Sequence, residues 1–331
     1  MKVILDAMGG DYAPQVTVEG ALQAARDFGF DIVLAGDKDV INRELKKYKD
    51  EKSKKNISIV HASEIVEMEE SPTTAIRRKR DSSIAVAVNL LKEKKGDALV
   101  TAGNTGAAVA AVTLNLGLLP EIKRPGIAIT MPTLKGVSLI IDVGANIDPK
   151  PEHLLQYAIM ADIYSRYILK KNNPKIGLLN IGEEASKGTE LMRETYKLLS
   201  SQSGLNFIGN IEGRDMFSGK SDCIVCDGFI GNIGLKICES IAETMMAFFK
   251  KEIGRNWLVR LGAGLCKPAF TALQKEVDYS ECGGAPLLGV DGSCIIAHGG
   301  SNTKAIRNAI KVAKEFVDYK INEHIVRRIG Q

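Results

Sequence analysis

Six short turns rich in Gly, Asn and Asp follow apolar runs and carry the residues best suited to chemistry. They are DAMGGD (residues 6–11), TAGNTG (101–106), DVGAN (142–146), NIGEEASKG (180–188), CDGFIGN (226–232) and AHGGSN (297–302). Glycines beside helix N-termini expose backbone N–H groups, and the helix dipole adds partial positive charge, so such turns suit a phosphate or a developing oxyanion. The better-known cradles are missing. No GxxxxGK followed by Ser or Thr occurs, and Gly228-x-x-Gly231-x-x-Gly234 lacks the GxGxxG spacing of a dinucleotide site. A GxSxG nucleophile elbow is also absent, which argues against a serine hydrolase.

Among the side chains, Lys187 stands in SKG directly before a helix. Its flexible ammonium can meet an anion held by the following amides, or be an ordinary surface lysine near a cap. Asn232, just past Asp227-Gly228, is either an N-cap or an amide donor for an oxyanion. His298 ends a strand before Gly299-Gly300-Ser301-Asn302 and is either satisfied locally or catalytic. Asp6, Asp11 and Asp142 have the oxygens for a divalent ion, yet each also suits an Asx turn, and no metal is expected. Cys223-x-x-Cys226 has no second Cys or His pair at zinc spacing and reads as two small buried residues on a strand.

The elements that must position these turns recur as an apolar run, a turn and an amphipathic helix. Strands are predicted at Val3–Leu5, Asp31–Ala35, Ile57–His61, Ala98–Thr101, Gly126–Met131, Val137–Asp142, Ile176–Asn180, Cys223–Cys226 and Cys294–Ala297. Most are Val, Ile and Leu without strict alternation, as parallel strands covered on both faces should be. Helices are predicted at Pro14–Phe28, Ser82–Lys94, Pro151–Lys170, Gly188–Ser200 and Thr303–Asn322, with Lys46–Lys55 a solvated loop. The alternation predicts a doubly wound, three-layer α/β/α fold with a mostly parallel sheet, as one domain over residues 1–331. In an open parallel sheet the strands' carboxyl ends share one edge, so all six turns are expected to converge on one crevice.

The 331 residues are 45% hydrophobic and 25% charged, an ordinary globular balance, and the net charge of +4 is too mild to argue for nucleic acid. Six cysteines crowd the last third and Asp6 interrupts the apolar N-terminus, which predicts a reduced, cytoplasmic protein. Ala98–Pro120 runs 23 residues without a charge, long enough to span a bilayer. Turn chemistry at residues 101–106 splits it into a buried strand and a small-residue helix instead.

Residues 231–278 differ in character. An amphipathic helix (Ile233, Ile237, Ile241, Met245, Phe248, Phe249) leads to Trp257, Leu258, Val259, Leu261 and Leu265, with Lys250, Lys251, Arg255 and Arg260 interleaved. This composition suits a helical hairpin lying in an anionic bilayer interface, packing on a dimer mate, or both.

Taken in order over nearly the whole chain, the six turns together with GGAPLLGVDG (283–292) and SPTTAIRRKRDSS (71–83) closely resemble the bacterial phosphate acyltransferase family, the acyl carrier protein:phosphate acyltransferases of phospholipid synthesis. The resemblance implies that inorganic phosphate attacks a long-chain acyl thioester on acyl carrier protein, giving acyl phosphate and the free carrier. It also implies a homodimer, a fold like isocitrate and isopropylmalate dehydrogenases and phosphotransacetylases, no cofactor or metal, peripheral membrane association, and a product passed to a membrane-bound glycerol-3-phosphate acyltransferase.

On that reading Lys187 and the amides around Gly103, Asn104, Thr105 and Gly106 hold phosphate, and Asn232 donates to the thioester oxygen or orients phosphate. Asn146, His298, Ser301 and Asn302 complete the cradle. Ile237, Ile241, Met245, Trp257, Leu258 and Leu261 supply the acyl groove and membrane contact. Arg77, Arg78, Lys79 and Arg80, or the cations of the hairpin, form a landing surface for an acidic carrier. Three rivals remain: a phosphotransacetylase-like enzyme acting on short acyl-CoA, a nicotinamide-dependent decarboxylating dehydrogenase, and a non-catalytic membrane-docking scaffold.

Overall fold

The computed structural model describes residues 1–271 and 283–330, with the side chain of Leu258 outside the description. Eleven strands form one sheet: β1 (Lys2–Asp6), β2 (Asp31–Gly36), β3 (Ile57–His61), β4 (Ala98–Thr101), β5 (Gly126–Thr133), β6 (Gly136–Ile141), β7 (Lys175–Leu179), β8 (Asn206–Ile211), β9 (Cys223–Val225), β10 (Ala285–Leu288) and β11 (Cys294–Ile296). Their spatial order is β3-β2-β1-β4-β11-β10-β5-β6-β9-β7-β8. The nine strands expected from the sequence are all present, and β8 and β10 are additional.

The helices are α1 (Gln15–Phe28), α2 (Lys38–Leu45), α3 (Glu51–Lys54), α4 (Pro72–Arg78), α5 (Ser83–Lys92), α6 (Thr105–Asn115), α7 (Pro151–Tyr167), α8 (Glu190–Ser201), α9 (Gly228–Ile253), α10 (Trp257–Leu265), α11 (Thr303–Asp318) and α12 (Ile321–Ile329). The helix expected over Thr303–Asn322 is two, because Lys320 takes the left-handed conformation (φ 49°) and turns the chain between them. Inside the expected loop 46–55, the Asp50 carboxylate accepts Ser53 N and starts α3. The apolar run 98–120 is split into β4 and α6, and no helix among the described residues is long and apolar enough to cross a membrane.

Three layers follow from the pleat. Val3 and Leu5 of β1 point into a core with α1 and α11, while Ile4 between them points into a core with α5 and α6. On the far half of the sheet, Leu139 and Ile141 of β6 face α7 and α12, and Ile140 faces the opposite side. Burial on both faces is why these strands read as continuous Val, Ile and Leu.

The sheet is parallel within each half and reversed between them. β3, β2, β1, β4 and β11 are mutually parallel, as are β6, β9, β7 and β8. β10 is antiparallel to β11 and to β5, and β5 folds back on β6 through a tight hairpin in which Thr133 faces Gly136 (φ 113°). The second half therefore runs opposite to the first. The carboxyl ends of β1, β4 and β11 leave one edge of the sheet, and those of β6, β9 and β7 leave the other. By strand direction the six turns fall into two sets of three, one at the carboxyl ends of β1, β4 and β11 and one at those of β6, β9 and β7.

Candidate active site

The first set interlocks DAMGGD, TAGNTG and AHGGSN. Asp6 is buried at the end of β1, where its carboxylate accepts Thr101 Oγ1 at 2.8 Å and Met8 N at 3.3 Å. Burial raises its carboxyl above the usual range, partly offset by bonds from Ser83 and Thr101. A Cβ at Gly9 would lie 2.7 Å from Gly103 N, so this glycine is what lets the first two turns touch. Asp11 N donates to Gly299 O at 2.9 Å and ties in the third.

Several residues expected to hold phosphate here are already occupied. Asn104 Oδ1 caps α6 by accepting Ala107 N at 2.9 Å, and its amide donates to Met68 O at 2.8 Å. Gly103 N donates to Thr101 Oγ1. Asn302 Oδ1 caps α11 through Ala305 N, and Ser301 is buried with its amide on His298 O. His298 is exposed, and its Nδ1 accepts Gly300 N at 3.0 Å, which places the imidazole proton on Nε2 when the ring is neutral. What this set presents outward is His298 and the first two amides of α6, Thr105 N and Gly106 N, which lack helical acceptors.

The second set gathers DVGAN, CDGFIGN and NIGEEASKG on adjacent strands. Asp142, fully buried, accepts Ile127 N (2.9 Å), Gly144 N (3.1 Å) and Ala145 N (3.0 Å) on Oδ1 and Asn146 N (2.7 Å) on Oδ2. The amides of DVGAN thus face the chain's own carboxylate rather than a ligand. Burial pushes this carboxyl up to about 6 against the pull of those four amides. Of the two roles open to Asp142, its bonds from Gly144 N and Ala145 N are those of an Asx turn. Asn146 is also engaged, with its carbonyl accepting Gly228 N at 3.0 Å and its amide reaching Tyr157 Oη at 3.4 Å.

The N-cap of α9 is Asp227, whose side chain accepts Ile230 N at 2.8 Å. Asn232 is the fifth residue of the helix, not its cap, and is exposed with no hydrogen bond from its amide among the described residues. It lies over the DVGAN turn: a Cβ at Gly144 would sit 3.6 Å from Asn232 Cβ and Cγ. Lys187 is exposed and unpaired among the described residues, while its backbone is held by Asn180 Nδ2 on Lys187 O (3.2 Å) and by Lys187 N on Glu184 O (3.1 Å). Asn210 Nδ2 holds Glu184 O at 2.9 Å from the neighbouring strand β8. Asn180 and Asn210, missed in the sequence, fix the loop that carries Lys187; a strand-end Asn was the available signal.

Cys223 on β9 and Cys226 just past its end are both buried. Burial and the carboxylates of Asp142 and Asp227 push the Cys226 thiol well above its ordinary value. The charge of Asp222 acts instead on Cys223, whose thiol is pushed up to about 12 mainly by burial. Of the hairpin residues, Ile237, Ile241 and Met245 on α9 are about half exposed, and Trp257 and Leu261 on α10 are 71% and 61% exposed. Residues 272–278 of the expected excursion lie outside the described residues. Lys79 is withdrawn from the expected landing surface, because its ammonium pairs with Glu70 and donates to Ile65 O; Arg77, Arg78 and Arg80 stay exposed.

The fold is similar to a phosphotransacetylase from Streptococcus pyogenes (TM-score 0.62, 16% identity, 100% of this chain and 94% of that one). It is also similar to the EutD phosphotransacetylase from Staphylococcus aureus (TM-score 0.61, 15% identity, 95% and 94%). The family model described as "Fatty acid synthesis protein" matches residues 1–324. The chain is 50% identical over 333 residues to a phosphate acyltransferase of Dictyoglomus turgidum, covering all of this chain and 98% of that one. It is 49% identical over 331 residues to that of Geotalea daltonii, covering 100% and 95%. With half of all positions shared along its full length, the chain belongs to the phosphate acyltransferase family of fatty acid and phospholipid synthesis and is an acyltransferase.

Proposed function

We propose that the protein transfers a long-chain acyl group from the thioester of acyl carrier protein to inorganic phosphate, on the way to phosphatidic acid. A phosphate oxygen attacks the thioester carbonyl, the C–S bond breaks, and the carrier leaves as thiolate and takes up a proton. The observation that carries this is that the second set presents a Lys187 ammonium without an ion pair and an Asn232 amide without a hydrogen bond among the described residues. Phosphate is itself a competent nucleophile at neutral pH, so the site needs only to position two reactants and stabilise an oxyanion. The raised Cys226 thiol supports direct transfer over a covalent acyl-enzyme.

The exposed apolar residues of α9 and α10, set among Lys250, Lys251, Arg255 and Arg260, support an acyl groove and peripheral contact with an anionic membrane on the cytoplasmic side. Transfer of the product to a membrane-bound glycerol-3-phosphate acyltransferase fits that placement. The test is to incubate the purified protein with palmitoyl acyl carrier protein and phosphate and to follow free carrier thiol and acyl phosphate. Release that requires phosphate is the expected result. Activity on acyl-CoA alone would move the assignment to a phosphotransacetylase, and inactivity on both with vesicle binding would leave a scaffold.

The homodimer has a specific role on this reading. We infer that two-fold pairing lets the His298 and Thr105–Gly106 set of one chain meet the Lys187 and Asn232 set of its partner. His298→Ala and Asn232→Ala proteins, each nearly inactive alone, are then expected to regain about a quarter of wild-type activity when unfolded and refolded together in equal amounts, since half the dimers are mixed and each holds one intact site. A mixture no better than its components would place each complete site within one chain.

A further inference from the structure

The loop 180–188 that carries Lys187 leaves β7 and ends at Thr189, the N-cap of α8. A loop between strand and helix has no ladder of its own, so where its ammonium stands depends on what holds the backbone from outside. The two ends are tied locally. Asn180 Nδ2 donates to Lys187 O at 3.2 Å, and Arg193 Nη1, one turn into α8, donates to Gly188 O at 2.6 Å. The middle is tied from the neighbouring strand, because Glu184 O accepts both Lys187 N at 3.1 Å and Asn210 Nδ2 at 2.9 Å. A carbonyl oxygen can only accept, which fixes the orientation of the Asn210 amide.

Asn210 reaches the loop through an irregularity in β8, the last strand of the sheet. Ile176 pairs with Phe207 and Leu178 with Asn210, so β8 takes three steps where β7 takes two. The extra residue falls at Ile208–Gly209, where Gly209 has φ 94°. Space does not demand this glycine, since the nearest atoms to a Cβ there belong to the Tyr196 ring at 3.9 Å; the backbone conformation does. A bulge resets which side chains share a face. Ile208 and Ile211, three residues apart, accordingly pack on the same core, which strict alternation forbids. Asn210, beside Ile211, meets the loop instead of that core.

Its burial is costly. Asn210 is 4% exposed, and its Oδ1 has no hydrogen-bond partner among the described residues. A buried amide oxygen without a donor destabilises the fold, and an apolar side chain of similar size avoids the cost. Nor does the loop backbone need this amide for satisfaction, since Glu184 O keeps Lys187 N as a partner without it.

We propose that Asn210 is a positioning residue for Lys187: the bulge at Gly209 aims its amide at Glu184 O, and that bond holds the Glu184–Lys187 turn so that the ammonium meets the reacting groups. The assignment rests on Lys187 being the charge used in acyl transfer and adds what places it.

The test compares wild type, Lys187→Ala, Asn210→Leu and the double variant in phosphate-dependent thioester cleavage, with palmitoyl acyl carrier protein and palmitoyl-CoA as substrates and the melting temperature measured for each. Asn210→Leu is expected to lower kcat/KM about tenfold while melting at or above the wild-type temperature, because a poorly satisfied buried amide has been removed. In the Lys187→Ala background the same change is expected to alter the rate by less than about twofold, since there is no ammonium left to misplace. Asn210→Ala, too small to clash, repeats the cycle should leucine disturb the sheet. An asparagine with a merely structural role would slow both backgrounds by the same factor; that result, or wild-type activity of both Asn210 variants beside a slow Lys187→Ala, would overturn the proposal and leave Lys187 in place. Wild-type turnover by Lys187→Ala, or a wild type inactive on both substrates, would overturn the reading of Lys187 and the proposal together.

Discussion

Lys187→Ala is expected to slow phosphate-dependent thioester cleavage by about 10² to 10³, the range for removing one preorganised charge or donor from a developing oxyanion. The loss should come without a loss of fold. Its side chain is exposed and has no ion pair among the described residues, and the loop is held through backbone atoms that alanine keeps: Lys187 O accepts Asn180 Nδ2 and Lys187 N donates to Glu184 O. Truncation at such a position changes stability by about 0.5 kcal/mol or less, so the melting temperature is the control. Steady-state kinetics over a wide phosphate range then separate two roles. If the ammonium binds phosphate in the ground state, KM for phosphate rises and kcat holds; if it stabilises the transition state, kcat falls with kcat/KM. Lys187→Arg keeps the charge but replaces a compact ammonium by a planar fork, and partial activity is expected. Near-wild-type turnover of Lys187→Ala would remove the residue from the site.

The sequence shows where the strands are better than which way they run. Val3–Leu5, Ala98–Thr101 and Cys223–Cys226 are visible because burial on both faces demands uninterrupted apolar residues, but the same demand applies in either direction. The reversal hangs on the hairpin at Thr133–Gly136 and on β10, whose four residues APLL are hidden inside a glycine-rich motif. β8, NFIGNI, escapes because it lies at the end of the sheet and carries Asn206, Gly209 and Asn210 among its apolar residues. The site divides in the same way. Lys187 and Asn232 are legible as polar residues near helix starts. That Asn104 and Asn302 are caps and Asp142 an acceptor for four amides depends on φ/ψ choices over two or three residues, which residue type alone does not specify.

Gly231→Ala is expected to cost about 3 kcal/mol, at the upper end for overpacking, and to lower the melting temperature by roughly 4 °C. A Cβ at this position would lie 1.9 Å from Asp142 O and 2.9 Å from Cys226 Sγ. The first neighbour is a backbone oxygen at the end of a central strand and has no rotamer to escape into. Asp142 is also pinned by its four amides, so the helix must move instead, against the Gly228 N to Asn146 O bond and the Asp227 cap. Gly234→Ala, one turn further along α9, is the internal control: its Cβ would find nothing nearer than Met216 Cε at 3.8 Å. There the helix preference for alanine should leave stability unchanged or raise it by up to about 1 kcal/mol. Equal effects at the two positions would show that helix propensity, and not contact with Asp142, governs the start of α9. The contact matters for chemistry because Asn232 is the next residue: the glycine sets how closely the helix approaches the DVGAN turn, and so where the candidate amide donor stands.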